Sequence, residues 1–156
     1  MSGGKRFEPN GQVGGQDGGD DPPVLDGPRC RTLVVEDDRQ SKEALVALLE
    51  RAGYEVKAVE SLGAAFGTFI KWRPRCVVLD LMLPDGNGIE FLRTVRFHEI
   101  PVSVAVLSAA NDPKLLSEVR DLTPGAYFSK PLELPALLEW LGRESVVPAA
   151  PAPAGQ

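Results

Sequence analysis

Asp80 closes the apolar run Val77-Val78-Leu79 and opens a loop, Leu81-Met82-Leu83-Pro84-Asp85-Gly86-Asn87-Gly88. Three apolar residues, two of them β-branched, followed by turn formers read as a strand buried on both faces that ends at one carboxylate. Glu36 and Asp37 stop a second apolar run, Leu33-Val34-Val35. Ser108 follows a third, Val102 to Leu107, and Lys130, before Pro131, follows Ala126-Tyr127-Phe128. Taken singly, each of these polar residues is an ordinary turn or surface residue. Taken together, they place three carboxylates, a hydroxyl and an ammonium at strand ends of one polarity.

Parallel strands would bring those ends to one edge, where open α/β sheets collect ligands and chemistry. Three carboxylates there repel one another, and burying them without a counter-ion is costly. A divalent cation resolves the conflict, and an all-oxygen site with one or two carboxylates and retained water is what Mg²⁺ prefers. With a cation and Lys130 beside it, Asp80 becomes a nucleophile toward phosphorus, with an aspartyl phosphate as the product. The metal and the ammonium would neutralise charge on the transferring group, and Ser108 could hydrogen-bond a phosphoryl oxygen.

The intervening segments supply the required alternation. Arg31 to Val35 reads as a first strand, and Ala44, Leu45, Leu48, Leu49 and Ala52 form one helical stripe ending before Gly53. Tyr54 to Val59 is a second strand. Ser61 is an N-cap for a second helix with Leu62, Ala65, Phe66, Phe69 and Ile70 inward, ended by Pro74. Gly88 to Phe97 is a third helix, with Ile89, Leu92 and Val95 as its apolar spacing. Asp112-Pro113 is a cap and first helical residue for a fourth. A last helix spans Leu132 to Leu141. Five strands alternating with five helices give a parallel sheet covered on both faces, a three-layer α/β sandwich.

At 156 residues with 43% apolar and 25% charged residues, the chain is long enough for one globular domain. Residues 1–28 are Gly-, Asp- and Pro-rich without periodicity and read as a disordered tail; residues 29–144 hold the domain; residues 145–156 are a short Pro/Ala tail, too short for an output domain. The first 28 residues hold Lys5 and Arg6 against five acids, which leaves 15 basic against 17 acidic residues in the rest. No basic footprint for DNA is visible in that balance. No run of 18 apolar residues exists, and the N-terminus lacks an apolar signal core, so no membrane partner is expected and the location reads as cytoplasmic. Cys30 and Cys76 lack metal-ligand spacing and read as small buried hydrophobes in a reducing compartment.

Leu33-Val34-Val35-Glu36-Asp37-Asp38, Val78 to Gly88 around Asp80, Leu107-Ser108-Ala109-Ala110 and Lys130-Pro131, in that order, resemble the receiver domain of two-component response regulators. The resemblance covers about Arg31 to Leu141 and is closest to the stand-alone, chemotaxis-regulator kind. It implies a flavodoxin-like (βα)5 fold with strand order 2-1-3-4-5. It implies that Asp80 accepts a phosphoryl group from a histidine kinase or phosphotransfer protein, with Mg²⁺ held by Glu36, Asp37, Asp80 and the Met82 backbone carbonyl. By the same resemblance Lys130 contacts the phosphoryl group across a cis Lys130–Pro131 bond, and Ser108 and Tyr127 are the switch residues. The output would be a downstream protein, or a homodimer through helix four, strand five and helix five. Three features depart from the family: Glu36 stands where Asp is commoner, the connection from helix three to strand four is slightly short, and Thr123-Pro124-Gly125-Ala126 breaks the approach to the fifth strand.

Two rival functions are weaker. A Mg²⁺-dependent phosphohydrolase with an aspartyl nucleophile needs a second carboxylate two residues on, and that position is Met82, which transfers no proton. A receiver-like scaffold that binds partners without phosphorylation would have no need of the complete acidic set. The expected protein is therefore a regulatory phosphoacceptor rather than a metabolic enzyme.

Overall fold

The computed structural model describes residues 30–109 and 112–146. Residues 1–29, 110–111 and 147–156 lie outside them, and with them the expected N-terminal tail and most of the C-terminal one. Five parallel strands form one sheet: β1 (Arg31–Val35), β2 (Glu55–Val59), β3 (Cys76–Asp80), β4 (Ser103–Ser108) and β5 (Ala126–Ser129). Their spatial order is β2-β1-β3-β4-β5, the expected 2-1-3-4-5. Helices α1 (Arg39–Arg51), α2 (Leu62–Trp72), α3 (Ile89–Phe97) and α4 (Pro113–Asp121) make the crossovers, and α5 (Leu134–Val146) follows β5. A two-residue antiparallel ribbon, Met82–Leu83 against Gly86–Asn87, folds the loop after β3.

The pleat divides the core in two. Leu33, Val35, Val77, Leu79, Val104 and Val106 point toward α2 and α3. Val34, Cys76, Val78, Ala105 and Leu107 point toward α1 and α5. β3 is buried at every residue, which is why its sequence carries no polar alternation.

Helix starts follow the capping chemistry. Asp38 accepts from the Ser41 N–H at 2.9 Å, Ser61 from the Ala64 N–H at 3.1 Å, and Asp112 from the Lys114 N–H at 3.0 Å with Pro113 next in line. α5 differs from expectation, running Leu134–Val146 rather than Leu132–Leu141. Two inward positions are also corrected. Ile70 is 69% exposed, because α2 buries Ala65, Phe69 and Trp72, and Ile70 is turned about 100° from Phe69. Ala44 is exposed beside Leu45, at the mouth of a cleft of about 260 Å³ shared with Glu36 and Lys130. Among the described residues, no helix is long and apolar enough to cross a membrane.

Candidate functional site

The parallel register carries the chemistry-bearing residues to one edge. Val35 lies opposite Leu79, Asp80 opposite Leu107, and Ser108 opposite Ser129. Glu36 and Lys130 are the first residues past their strands, so the ends of β1, β3, β4 and β5 face one space. Backbone bonds continue the ladder just beyond the strands: Glu36 N–H donates to the Val59 carbonyl at 3.0 Å, Leu81 N–H to Leu107 at 3.2 Å, and Lys130 N–H to Ser108 at 3.0 Å. The loop after β3 closes against its own strand at Gly88, whose N–H donates to the Leu81 carbonyl at 2.7 Å. A Cβ there would stand 2.4 Å from the Asp80 carbonyl oxygen, so only glycine lets the chain turn this tightly beneath the carboxylate.

Asp80 and Glu36 are both buried, and Lys130 lies between them. The Lys130 ammonium is 2.9 Å from Asp80 Oδ2 and 3.1 Å from Glu36 Oε1. Asp80 Oδ1 accepts from the Met82 N–H at 3.0 Å, and Glu36 Oε2 accepts from the Asp38 N–H at 3.1 Å. Asp37 is exposed, yet one oxygen of each of Glu36, Asp37 and Asp80 lies within 4.8 Å of the others. Ser108 is fully buried at the end of β4, and Tyr127, opposite Val106 on β5, is 37% exposed. The Lys130–Pro131 bond is cis, as expected.

The charges are unbalanced in a telling direction. Three carboxylates meet one ammonium. Burial, with the Asp80 carboxylate beside it, raises the Glu36 pKa above its ordinary range, against the pull of the Asp38 N–H and Lys130. Burial alone would lower Lys130, but its bonds to Asp80 and Glu36 outweigh that and hold it above its ordinary value, firmly charged. The cluster is thus short of positive charge and rich in oxygen donors, the composition a hard divalent cation fits.

One polar residue of the region acts differently from the reading of the sequence. Asp85, read as a turn former, reaches across to α2 and accepts from the Leu62 and Gly63 N–H groups at 2.7 and 2.9 Å. These contacts hold its carboxyl below the usual range and tie the loop after Asp80 to the next helix. Nothing in its local sequence marks that role, because the partner lies 22 residues away. Asp38 caps α1 and donates its N–H to Glu36, so it orients one carboxylate of the cluster. An apolar groove of about 720 Å³, lined by Phe66, Ile70, Arg73, Val95 and His98, lies between α2 and α3, away from the carboxylates.

The sheet order and the acid-and-lysine cluster at its carboxyl edge define a flavodoxin-like α/β domain of the signal-receiver type. The chain belongs to the response regulator receiver domain family, which it matches over residues 32–141. It is 36% identical over 124 residues to the KDP operon transcriptional regulatory protein KdpE of Escherichia coli, covering 78% of this chain and 55% of that protein. It is 33% identical over 115 residues to the transcriptional regulatory protein TrcR of Mycobacterium tuberculosis, covering 72% and 44%. The chain therefore spans about half the length of the curated relatives it matches. A response regulator receiver protein from Pseudomonas putida superposes with a TM-score of 0.71 at 25% identity, covering 75% of this chain and 98% of that one. A CheY-like receiver domain protein from Methanospirillum hungatei gives 0.71 at 22% identity, covering 75% and 94%, which speaks to the fold alone.

Proposed function

We propose that this receiver domain, residues 29–144, accepts a phosphoryl group on Asp80 from a histidine kinase or phosphotransfer protein. The observation that carries this reading is the placement of Asp80. It is a buried carboxylate at a strand end, with one oxygen held by the Met82 N–H and the other facing Lys130. An Asp80 oxygen attacks phosphorus, the P–N bond to the donor imidazole breaks, and that imidazole nitrogen takes up a proton. Lys130 holds positive charge beside the transferring oxygens without having to move in. Glu36, Asp37, Asp80 and the Met82 carbonyl would hold Mg²⁺, which supplies neutralisation of phosphoryl charge.

Phosphorylation places a doubly charged group beside Ser108, whose hydroxyl donates to it. Tyr127 lines a cleft of about 500 Å³ with Leu116, Val119, Arg120, Thr123 and Pro124 on the α4–β5 side. As Ser108 moves toward Asp80, Tyr127 turns inward and reshapes the α4–β5–α5 surface. That surface is read by a protein partner or a second copy of the chain rather than by DNA. The near balance of 15 basic and 17 acidic residues outside the first 28 supports this.

The test is phosphorylation by acetyl phosphate in the presence of Mg²⁺, read by intact mass. One phosphoryl group should be added to the parent and none to Asp80→Asn, and chelator should stop the reaction. Labelling of Asp80→Asn at the parental rate would defeat the assignment. The Glu36→Ala, Asp37→Ala double variant should lose Mg²⁺ binding in a calorimetric titration; undiminished affinity would remove both residues from the metal site.

A further inference from the structure

The opposite end of the sheet carries a second reactive pair. β1 and β3 enter the fold side by side, with Thr32 directly opposite Cys76. Cys30 lies two residues before Thr32, so the strand alternation puts both on the face that Cys76 shares. Cys30, Val34 and Cys76 indeed belong to the same core cluster beneath α1 and α5. The two thiols lie close enough that each shifts the titration of the other. Cys76 is fully buried, whereas Cys30 keeps 9% of its surface open. The Thr32 hydroxyl between the strands is buried and has no hydrogen-bond partner. Both cysteines are free thiols.

The surroundings make the two sulfurs unequal. Contact with Cys76 lowers the Cys30 pKa against the cost of burial, and Ser145 of α5 and the Arg75 charge act in the same direction. The same contact, together with burial and the charge of Glu144, raises Cys76. Tyr54, also packed against this pair, is itself pushed up by burial and remains neutral. Cys30 is therefore the less enclosed thiol and the one inclined to ionise, and its neighbour is sealed and keeps its proton, the division of labour between an attacking and a resolving cysteine.

We propose that Cys30 and Cys76 are a two-thiol oxidation site that takes a peroxide as its oxidant. The Cys30 thiolate attacks one peroxide oxygen, the O–O bond breaks, hydroxide leaves, and Cys30 becomes a sulfenic acid. The Cys76 sulfur then displaces the hydroxyl from Cys30, forming the S–S bond. The departing hydroxyl and the Cys76 proton leave as water. Two electrons pass from the two sulfurs to one peroxide. The bridge ties the entry of β1 to the entry of β3, the strand whose far end is Asp80.

The test treats the full chain with hydrogen peroxide, followed by non-reducing peptide mapping. The expected result is a single intramolecular bridge joining the Cys30 and Cys76 peptides, with the mass of two hydrogens lost and restored by dithiothreitol. Cys76→Ser should accumulate a Cys30 sulfenic acid that dimedone traps. Cys30→Ser should give roughly tenfold less trapping at Cys76, because that sulfur is sealed. The proposal is overturned if the folded parent keeps both thiols under peroxide that oxidises a surface-thiol control. It is equally overturned if the bridge forms between chains, or if a Cys30 sulfenic acid forms and is never resolved. Where a serine variant fails to fold, the parental map decides alone. The readout does not involve Asp80, so it stands or falls separately from the phosphorylation reading.

Discussion

β3 begins at Cys76 and ends at Asp80, and both residues are buried. At its start the neighbours are Cys30, Thr32, Tyr54 and Ser145 of α5, with the charges of Arg75 and Glu144 acting on the thiols. At its end they are Glu36 and Lys130, both charged, with the exposed Asp37 alongside. The entry side is closed by tight connections: Arg75 N–H donates to the Arg31 carbonyl at 2.9 Å, Ser103 N–H to Arg75 at 3.1 Å, and Gly125 N–H to Val104 at 2.8 Å. The exit side opens into loops that carry carboxylates. One sheet thus meets the cost of burying polar groups in two ways. Thiols and hydroxyls without full charge meet at the entry, where even an unpartnered Thr32 hydroxyl is tolerated, whereas the charged groups at the exit need a cation. An exit edge that is one or two positive charges short is poised to bind something; an entry edge without net charge is poised to hold the strands together.

The sharpest break of this contrast is at Lys130. Lys130→Ala should lower the rate of labelling by acetyl phosphate about 100-fold or more, since it removes the ammonium that faces the reacting oxygen. It should also destabilise the metal-free protein by about 1–3 kcal/mol, because Glu36 and Asp80 are left buried without a counter-charge. Mg²⁺ should restore that stability and bind more tightly than in the parent, since no ammonium competes with it. A Lys130→Ala protein with parental thermal stability and parental labelling would mean that the exit edge is not organised by charge.

How much of this contrast could be read from the residues depends on the range of the interaction. The exit edge was legible because a strand pattern ending in Glu36-Asp37, Asp80, Ser108 or Lys130 is local, and a parallel sheet fixes where such ends go. The 2-1-3-4-5 order came from resemblance rather than periodicity, since a continuous apolar run states that a strand is buried but not which strands flank it. The entry edge was illegible for the same reason. Cys30 and Cys76 are 46 residues apart, and only the β1–β3 register brings them together. Asp85 and α2 likewise meet across a gap of 22 residues. Ile70 was placed inward because apolar residues were counted without their phase, and Trp72 holds the core position instead. The leucine spacing alone ends the last helix at Leu141, whereas α5 continues through Gly142 to Val146.

A smaller effect tests whether the entry edge is purely structural. Gly125 enters β5 under Trp140, and a Cβ added there would lie 2.9 Å from Trp140 Cζ2 and 3.3 Å from the Val104 carbonyl oxygen. Gly125→Ala should therefore cost about 1–3 kcal/mol through displacement of a buried indole. Denaturant unfolding should show the loss, while the labelling rate of the folded protein stays within twofold of the parent. A tenfold fall in labelling with folding intact would erase the functional separation of the two ends.

The smallest expected effect is a change in the alkaline limb of the stability profile. Tyr54 is buried at the entry edge, and burial raises its pKa above the ordinary tyrosine value of 10, with the neighbouring Cys30 and Cys76 adding to the rise and Ser145 opposing it. A group whose folded pKa is raised contributes stability that is complete below its unfolded pKa and lost as pH rises through the folded one. The Tyr54 contribution is therefore whole at neutral pH and disappears above about pH 10. Cys76 and Lys130 are raised as well, and each adds to the alkaline loss from its own ordinary value upward. Tyr54→Phe removes only the tyrosine share. Relative to the parent, the variant should be no more stable near pH 8, where the hydroxyl is neutral, and should gain on the parent near pH 11. Urea titrations at both pH values check this. A parent–variant gap that stays constant between them would show that the Tyr54 hydroxyl titrates as it does in the unfolded chain. The entry edge would then admit water and ions freely, contrary to the burial of Tyr54 beneath α5.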